Sequence, residues 1–445
     1  MRRQSMAAFA AIAILATACG GNAATASPSA AASVAPSVAP SVAASPSAVA
    51  SAVASASASA ATGDLSTITG TVTISGWQSS TSEGEALTRT LLGLQAAYPN
   101  IKVNYQPIAG DYPTVMATKF ASGDVPDVFY VNADIASSWI SQGFLAPLDD
   151  YISKYSFDTT AFYPGYASIF KGADGKTYGL PKDGNTIAMA YNSALVTTPA
   201  TSLADMVTAA TALKGKNGMK APICANPGLD RGLAFLYAQG GSLVSDDGKT
   251  ETIDSAASVA AVQWYLDLFK NGLAMTASDL GAGWCGEALG KKSAAIIFEG
   301  GWLDPYMTST YPDVKYAWAQ FPTGSSGSPV TISYTVAYGI PADAKNKDAA
   351  WVALQYLTGK DGMTSWTNTG VALPARTDVP APTGKDVLVA SGKFAKPGSG
   401  FVPGYNDIQK AFQDAFTAQI QKKTFDAQPV VDATKAAITK ALAGN

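Results

Sequence analysis

From Thr71 onward, short apolar runs alternate with helical periods, and this alternation limits the fold of the 445-residue chain more than any other feature. Residues 71–77 (TVTISGW) read as a strand. Residues 85–98 carry Leu87, Leu91, Leu94 and Tyr98 on one helical face, and Pro99 stops them. Ile101, Val103 and Tyr105 alternate in a strand over 101–107, and 112–122 is helical. Residues 127–132 (DVFYVN) form an uninterrupted apolar strand, the pattern of a parallel sheet covered on both faces, and 135–142 return as a helix. Such a βαβαβα order predicts a doubly wound α/β lobe.

The second half has the same character. Asp254 caps a helix over 255–271 with Gly272 just past its end. Strands are expected over 293–298, 316–320 and 336–340. Asp348 opens a helix over 349–358 closed by Gly359, and two helices, 406–422 and 429–442, end the chain. About 380 residues exceed what one core serves, so two α/β lobes are expected.

The N-terminal segment is an address. Arg2 and Arg3 precede an apolar run over 6–18, too short to span a bilayer. Ala16-Thr17-Ala18-Cys19 resembles a lipobox, with Leu15 one position off the usual place, so 1–18 is expected to be a lipoprotein signal peptide and Cys19 the lipidated residue. Residues 20–62 are Ala, Ser, Val, Pro and Thr almost throughout, without charge. They cannot bury enough apolar surface to offset their ordering entropy, so 19–66 reads as a lipid-anchored tether spanning roughly 35–40 Å. The protein is expected to be exported and held at the cell membrane, facing outside the cytoplasm. Export also allows Cys224 and Cys285 to pair.

Composition narrows the chemistry. With no His, neither a Ser-His-Asp or Cys-His nucleophile nor a His-ligated metal can be assembled, and no cofactor or metal is expected. A net charge of -3 is too acidic to track a phosphate backbone, so nucleic acid is not an expected partner.

Four segments, in order, resemble one family: FASGDVPD at 120–127 followed by VFYV; GKTYGLP at 175–181 followed by AMAYN at 188–192; WCGEALGKKSAAIIFEGGW at 284–302; and AYGIP at 337–341 with GVALPAR at 370–376. The resemblance is to family 1 extracellular solute-binding proteins of ABC importers, many of them sugar-binding lipoproteins, and it covers about 67–445. It implies a periplasmic-binding-protein type II fold: two doubly wound α/β lobes with a ligand cleft between them. The lobes are expected at 67–189 with 332–376, and at 190–331 with 377–445. The implied function is a monomeric binding protein, not an enzyme, that captures a sugar or oligosaccharide and delivers it to the importer's permease subunits. The alternatives are a surface glycoside hydrolase, or a binder of a non-sugar solute such as a polyol or phosphate ester.

A sugar needs flat aromatics for its C–H faces and planar polar groups for its hydroxyl rim. Of the 8 Trp, Trp139, Trp264 and Trp351 fall within helices and Trp318 in mid-strand, which suits packing. Trp77, Trp284, Trp302 and Trp366 sit at strand ends or turns, where ligand-facing rings belong. Trp302 matches the family's sugar-stacking position. The further expected contacts are Gln78, Ser79 and Glu83 beside Trp77, then Asp134, Asp183, Asn185, Asp230 (with Arg231 beside it), Arg376, Tyr405 and Asn406. The aromatic that maltose-specific members carry at the position of Val131 is missing.

Overall fold

The computed structural model describes residues 64–78, 81–368, 370 and 372–443. The signal segment, Cys19, most of the tether and Ser79 lie outside the described residues.

Among the described residues, eleven strands form two sheets. The strands are β1 (Gly70–Ser75), β2 (Ile101–Tyr105), β3 (Val128–Asn132), β4 (Leu180–Thr186), β5 (Ala188–Asn192), β6 (Ile223–Cys224), β7 (Ala274–Met275), β8 (Ile296–Glu299), β9 (Tyr316–Ala319), β10 (Thr331–Gly339) and β11 (Ala395–Pro397). The first sheet runs β11-β10-β3-β1-β2, with β4 on the free edge of β10. The second runs β7-β6-β8-β5-β9. In the first, β1 is parallel to β2 and β3, while β10 is antiparallel to β3 and β4. In the second, β6 is parallel to β7 and β8, and β5 is antiparallel to β8 and β9. Helices cover both sheets, giving two α/β lobes.

Each sheet has its own core. Val72, Ile74, Phe129, Tyr130, Leu94, Trp351 and Trp366 belong to the first cluster. Met189, Phe235, Phe298, Leu266, Phe416 and Ile438 belong to the second. A smaller cluster surrounds Cys224 and Cys285, which are joined by a disulfide with 5.4 Å between Cα atoms. Val379, Leu388 and Val389 lie in the first cluster, and β11 extends the first sheet, although 377–445 was expected with the second lobe.

The lobes are connected by strands that pass from one to the other. Only Ile187 separates β4 in the first sheet from β5 in the second. The Ile187 N–H donates to the Ile332 carbonyl at 3.1 Å, and the Thr331 hydroxyl donates to the Ile187 carbonyl. Ile187 and Ile332 are fully buried in the second cluster. The second crossing is therefore the start of β10 itself, which begins at Thr331 rather than at the expected 336.

Two helix starts differ from expectation. Ser255, not Asp254, caps Ala256–Lys270, its side chain accepting from Ser258 N–H. Asn346, not Asp348, precedes Lys347–Thr358. Asp348 falls in the first turn, where acidic side chains suit the helix dipole, and accepts from the Tyr151 hydroxyl at 2.9 Å.

Candidate functional site

The parallel strands β6, β7 and β8 end on one side of the second sheet, where α/β folds place ligands. A cavity of about 560 Å³ opens there, lined by Asn226, Asp230, Arg231, Trp284 and Glu299, with Gln413 from the helix Tyr405–Lys422. That volume lies within the usual span of small-molecule sites.

Asp230 and Arg231 occupy the first turn of Leu229–Ala238. The Asp230 carboxylate accepts from Asn226 Nδ2 at 2.9 Å and lies 3.6 Å from Arg231 Nη1. Burial raises its pKa above the ordinary carboxylate value, against the opposing pull of Arg231. Arg231 donates to the Phe298 carbonyl (3.0 Å), the Asp230 carbonyl (2.8 Å) and Glu299 Oε2 (2.6 Å). Burial works against its charge, and Glu299, Tyr334 and Asp230 together more than offset that, holding the guanidinium pKa above its ordinary value.

Trp302 follows Gly300 and Gly301 after β8. Its half-buried indole lies on Gly300 so closely that a Cβ there would sit 2.4 Å from a ring carbon. Its Nε1–H donates to Glu299 Oε2 at 2.9 Å, and the Arg231 guanidinium carbon is 5.2 Å from the ring centroid. Trp284, also half-buried, packs edge-on against Tyr306 at 4.8 Å and immediately precedes Cys285. The disulfide thus ties the carboxyl end of β6 to the Trp284 wall.

The first sheet contributes a second group of residues. Trp77 stands edge-on to Tyr112 (5.1 Å) and Tyr130 (5.0 Å) just past β1. Gln78 is exposed, and its side chain lies over Gly84. Glu83 is buried in the first turn of Thr81–Ala97. Nearby, burial pushes the Tyr105 hydroxyl up to about 12, with the Glu83 charge adding to it. Asp134 is surface-exposed on the first turn of Ala133–Ser141, yet surrounding protein raises its pKa by desolvation. The 398–401 loop closes on this turn: Gly400, at φ 69°, would place a Cβ 1.6 Å from the Ala133 carbonyl oxygen. No side chain fits there.

Asp183 and Asn185 lie on β4. The Asp183 carboxylate is paired with Lys182 and accepts from Trp366 Nε1 at 2.8 Å. The Lys182 ammonium sits over the rings of Trp366 (3.8 Å) and Tyr130 (4.7 Å). Asn185 reaches the other lobe, its Oδ1 accepting from Gly301 N–H at 3.1 Å. Tyr334, opposite Asn185 on β10, donates to the Asp230 carbonyl and lies 6.2 Å from Trp302, ring to ring. The two groups therefore meet at the crossing strands.

Two expected contacts are engaged elsewhere. Arg376 is 5% exposed, bonded to both carboxylate oxygens of Asp378 at 2.9 Å, and flanked by Phe157 and Phe162. Tyr405 is 2% exposed in the second core, its hydroxyl donating to the Gly398 carbonyl at 2.8 Å. Both lie in stretches whose local sequence cannot show that the side chain turns inward. Asn406 is exposed on the helix turn beyond. Trp366, expected to face ligand, is buried in the first core, whereas Trp318, expected in a core, is half-buried and donates to Asp304 at 2.9 Å.

Glu299, Lys182, Tyr334 and Lys385, whose ammonium donates to the Gly301 carbonyl at 2.9 Å, are not among the residues expected at the site. Glu299 did carry a signal: it is a carboxylate at the end of an apolar strand, three residues before Trp302.

Two lobes with aromatic and hydrogen-bonding groups gathered at their crossing strands define a two-lobe binding protein. The sequence model described as bacterial extracellular solute-binding protein matches residues 77–364, and the chain belongs to that family. A binding protein of Brucella abortus (strain 2308) is 24% identical over 294 residues, covering 63% of this chain and 70% of the relative. Among solved structures, the ABC substrate-binding protein Lmo0181 from Listeria monocytogenes, in complex with cycloalternan, superimposes with a TM-score of 0.69 at 21% identity, covering 84% of this chain and 99% of that one. The sugar-binding protein MalE from Xanthomonas citri gives 0.72 at 18% identity, covering 83% and 98%.

Proposed function

We propose that this protein captures a sugar or oligosaccharide between its lobes and hands it to the permease of an ABC importer. The carrying observation is the Trp302 ring, set beside an acceptor-rich wall at the carboxyl ends of β6 and β8. Trp302, Trp284 and Trp77 supply faces for C–H patches; Asp230, Asn226, Asn185 and Asp134 supply the hydroxyl rim; Gln78, Ser79, Glu83, Asp183 and Asn406 extend that rim. The cycloalternan complex of one structural relative and the description of the other as a sugar-binding protein support the same reading. Glu299 and Asp230 are both held in place by neighbouring donors, which suits a fixed binding wall.

The lobes on this reading follow 67–189 with 332–376, and 190–331 with the C-terminal segment, with the change of sheet at Ile187 supporting an earlier boundary there. The packing of Leu388 supports moving 377–397 to the first lobe. Export with a lipid on Cys19 would hold the monomer near its permease.

A thermal-shift and calorimetric panel of maltose, maltotriose, cellobiose, xylobiose, trehalose, mannitol and glucose 6-phosphate tests the reading. At least one neutral sugar should raise the melting temperature, because it binds only the folded state. The same sugar should compact the protein in small-angle scattering, and Trp302→Ala should weaken its binding by about 2 kcal/mol or more with the fold intact. Exclusive binding of glucose 6-phosphate or mannitol counts against it.

A further inference from the structure

The indole of Trp302 is held at its N–H by Glu299 and flanked on its ring by Arg231. Glu299, the last residue of β8, is buried, with its side chain 5% exposed. A single oxygen, Oε2, accepts both from Trp302 Nε1 and from Arg231 Nη2. Arg231 cannot drift, because two of its other nitrogens hold backbone carbonyls of Phe298 and Asp230. A buried charge pair of this kind is rarely the most stable way to fill a core; apolar residues of the same volume often do as well or better. Its location therefore asks for an explanation beyond packing.

We propose that Glu299 is a positioning residue for the sugar-stacking surface: its carboxylate, braced by Arg231, fixes the Trp302 indole in its binding orientation. This rests on the reading of Trp302 given above. Two consequences follow from the geometry. The indole N–H is already used, so the ring offers solute its face and not its donor. The side chain also has little rotamer freedom left to lose on binding, which lowers the ordering cost that a mobile aromatic adds to association.

The test uses the full folded chain and begins without solute. In a nitrogen-15 NMR spectrum, the Trp302 indole N–H is assigned with Trp302→Phe. It should be shifted downfield and protected from exchange with water, as a bond to a carboxylate requires. In Glu299→Gln the resonance should move upfield and exchange faster, and the affinity for the sugars of the panel should fall about tenfold at equal folded fraction. If Glu299→Gln does not fold, Glu299→Met/Arg231→Met removes both charges together, with the same expected outcomes. An indole signal unchanged by either variant, or an unchanged affinity despite a moved signal, overturns the proposal. If no sugar binds the wild type, the functional reading fails, and the indole signal alone decides whether Glu299 fixes the ring.

Discussion

Asp230 shows how one side chain carries opposite pH dependences for folding and for binding. Burial raises its pKa in the folded protein. The folded state therefore takes up a proton more readily than the unfolded chain, and the group's contribution to stability is present in acid and lost as pH rises through the raised value. Its proposed use runs the other way: protonation turns an acceptor oxygen into a donor, so sugar affinity should fall as pH drops through that same value. Calorimetric titrations from about pH 7 down to about pH 4 should show the decline starting above the range of a free aspartate. Asp230→Asn should remove that part of the decline, weaken binding at neutral pH and raise the melting temperature there. A pH profile identical to wild type would refute the assignment. The residue scale is also where sequence reading was weakest. Strand-end and turn positions picked out Trp77, Trp284, Trp302 and Trp366; the structure leaves the first three half-buried, Trp77 and Trp302 just past β1 and β8 and Trp284 just before the helix Cys285–Gly290. They gave no warning that Trp366, on a helix, donates to Asp183 inside a core, or that the Tyr405 hydroxyl ends on a backbone carbonyl. Those partners lie far away in sequence or depend on which way a helix faces, and neither is written locally.

At the scale of elements, the disulfide lends itself to measurement. It joins positions 61 apart, fixing the end of β6 to the helix Cys285–Gly290. Cys224→Ala/Cys285→Ala should lose about 4 kcal/mol in urea denaturation by the chain-entropy model, less if strain in the bridge offsets it. The bridge itself is checked by thiol titration in denaturant without reductant, where two reactive thiols from this pair would contradict it. The elements that were legible are those where period and punctuation agree: Leu87, Leu91 and Leu94 before Pro99, or Ile101, Val103 and Tyr105 in alternation. Among those that were not is β4. Lys182-Asp183-Gly184-Asn185 has the composition of a turn, yet it runs extended because β10 pairs with it and Gly184 bridges Leu373. Tertiary pairing overrode local preference there, and with it the sequence reading lost Lys182 and the early start of β10.

For the whole molecule, the proposed anchor has a direct check. Cys19→Ala should release the protein from the membrane fraction and abolish incorporation of a labelled fatty acid, with the melting temperature of the folded body unchanged. Retention in the membrane with label intact would place the anchor elsewhere. The folded body has a mechanical property of its own, seated in the Gly301 peptide. Its N–H is held by Asn185, on the first sheet; its carbonyl accepts from Lys385 Nζ at 2.9 Å, and Lys385 also pairs with Asp304. Lys385 directly precedes a helix packed in the first core. The turn carrying Trp302 thus belongs by chain order to one lobe and is bolted to the other. On any swinging body the fulcrum travels least. Rotation of the lobes about these strands would displace the groups farthest from them most and the Trp302 ring least. A solute resting on that ring would meet the same landing surface whether the jaws stood open or shut, and substitutions at the distant rim would retune how readily the jaws close without changing what the fulcrum recognises.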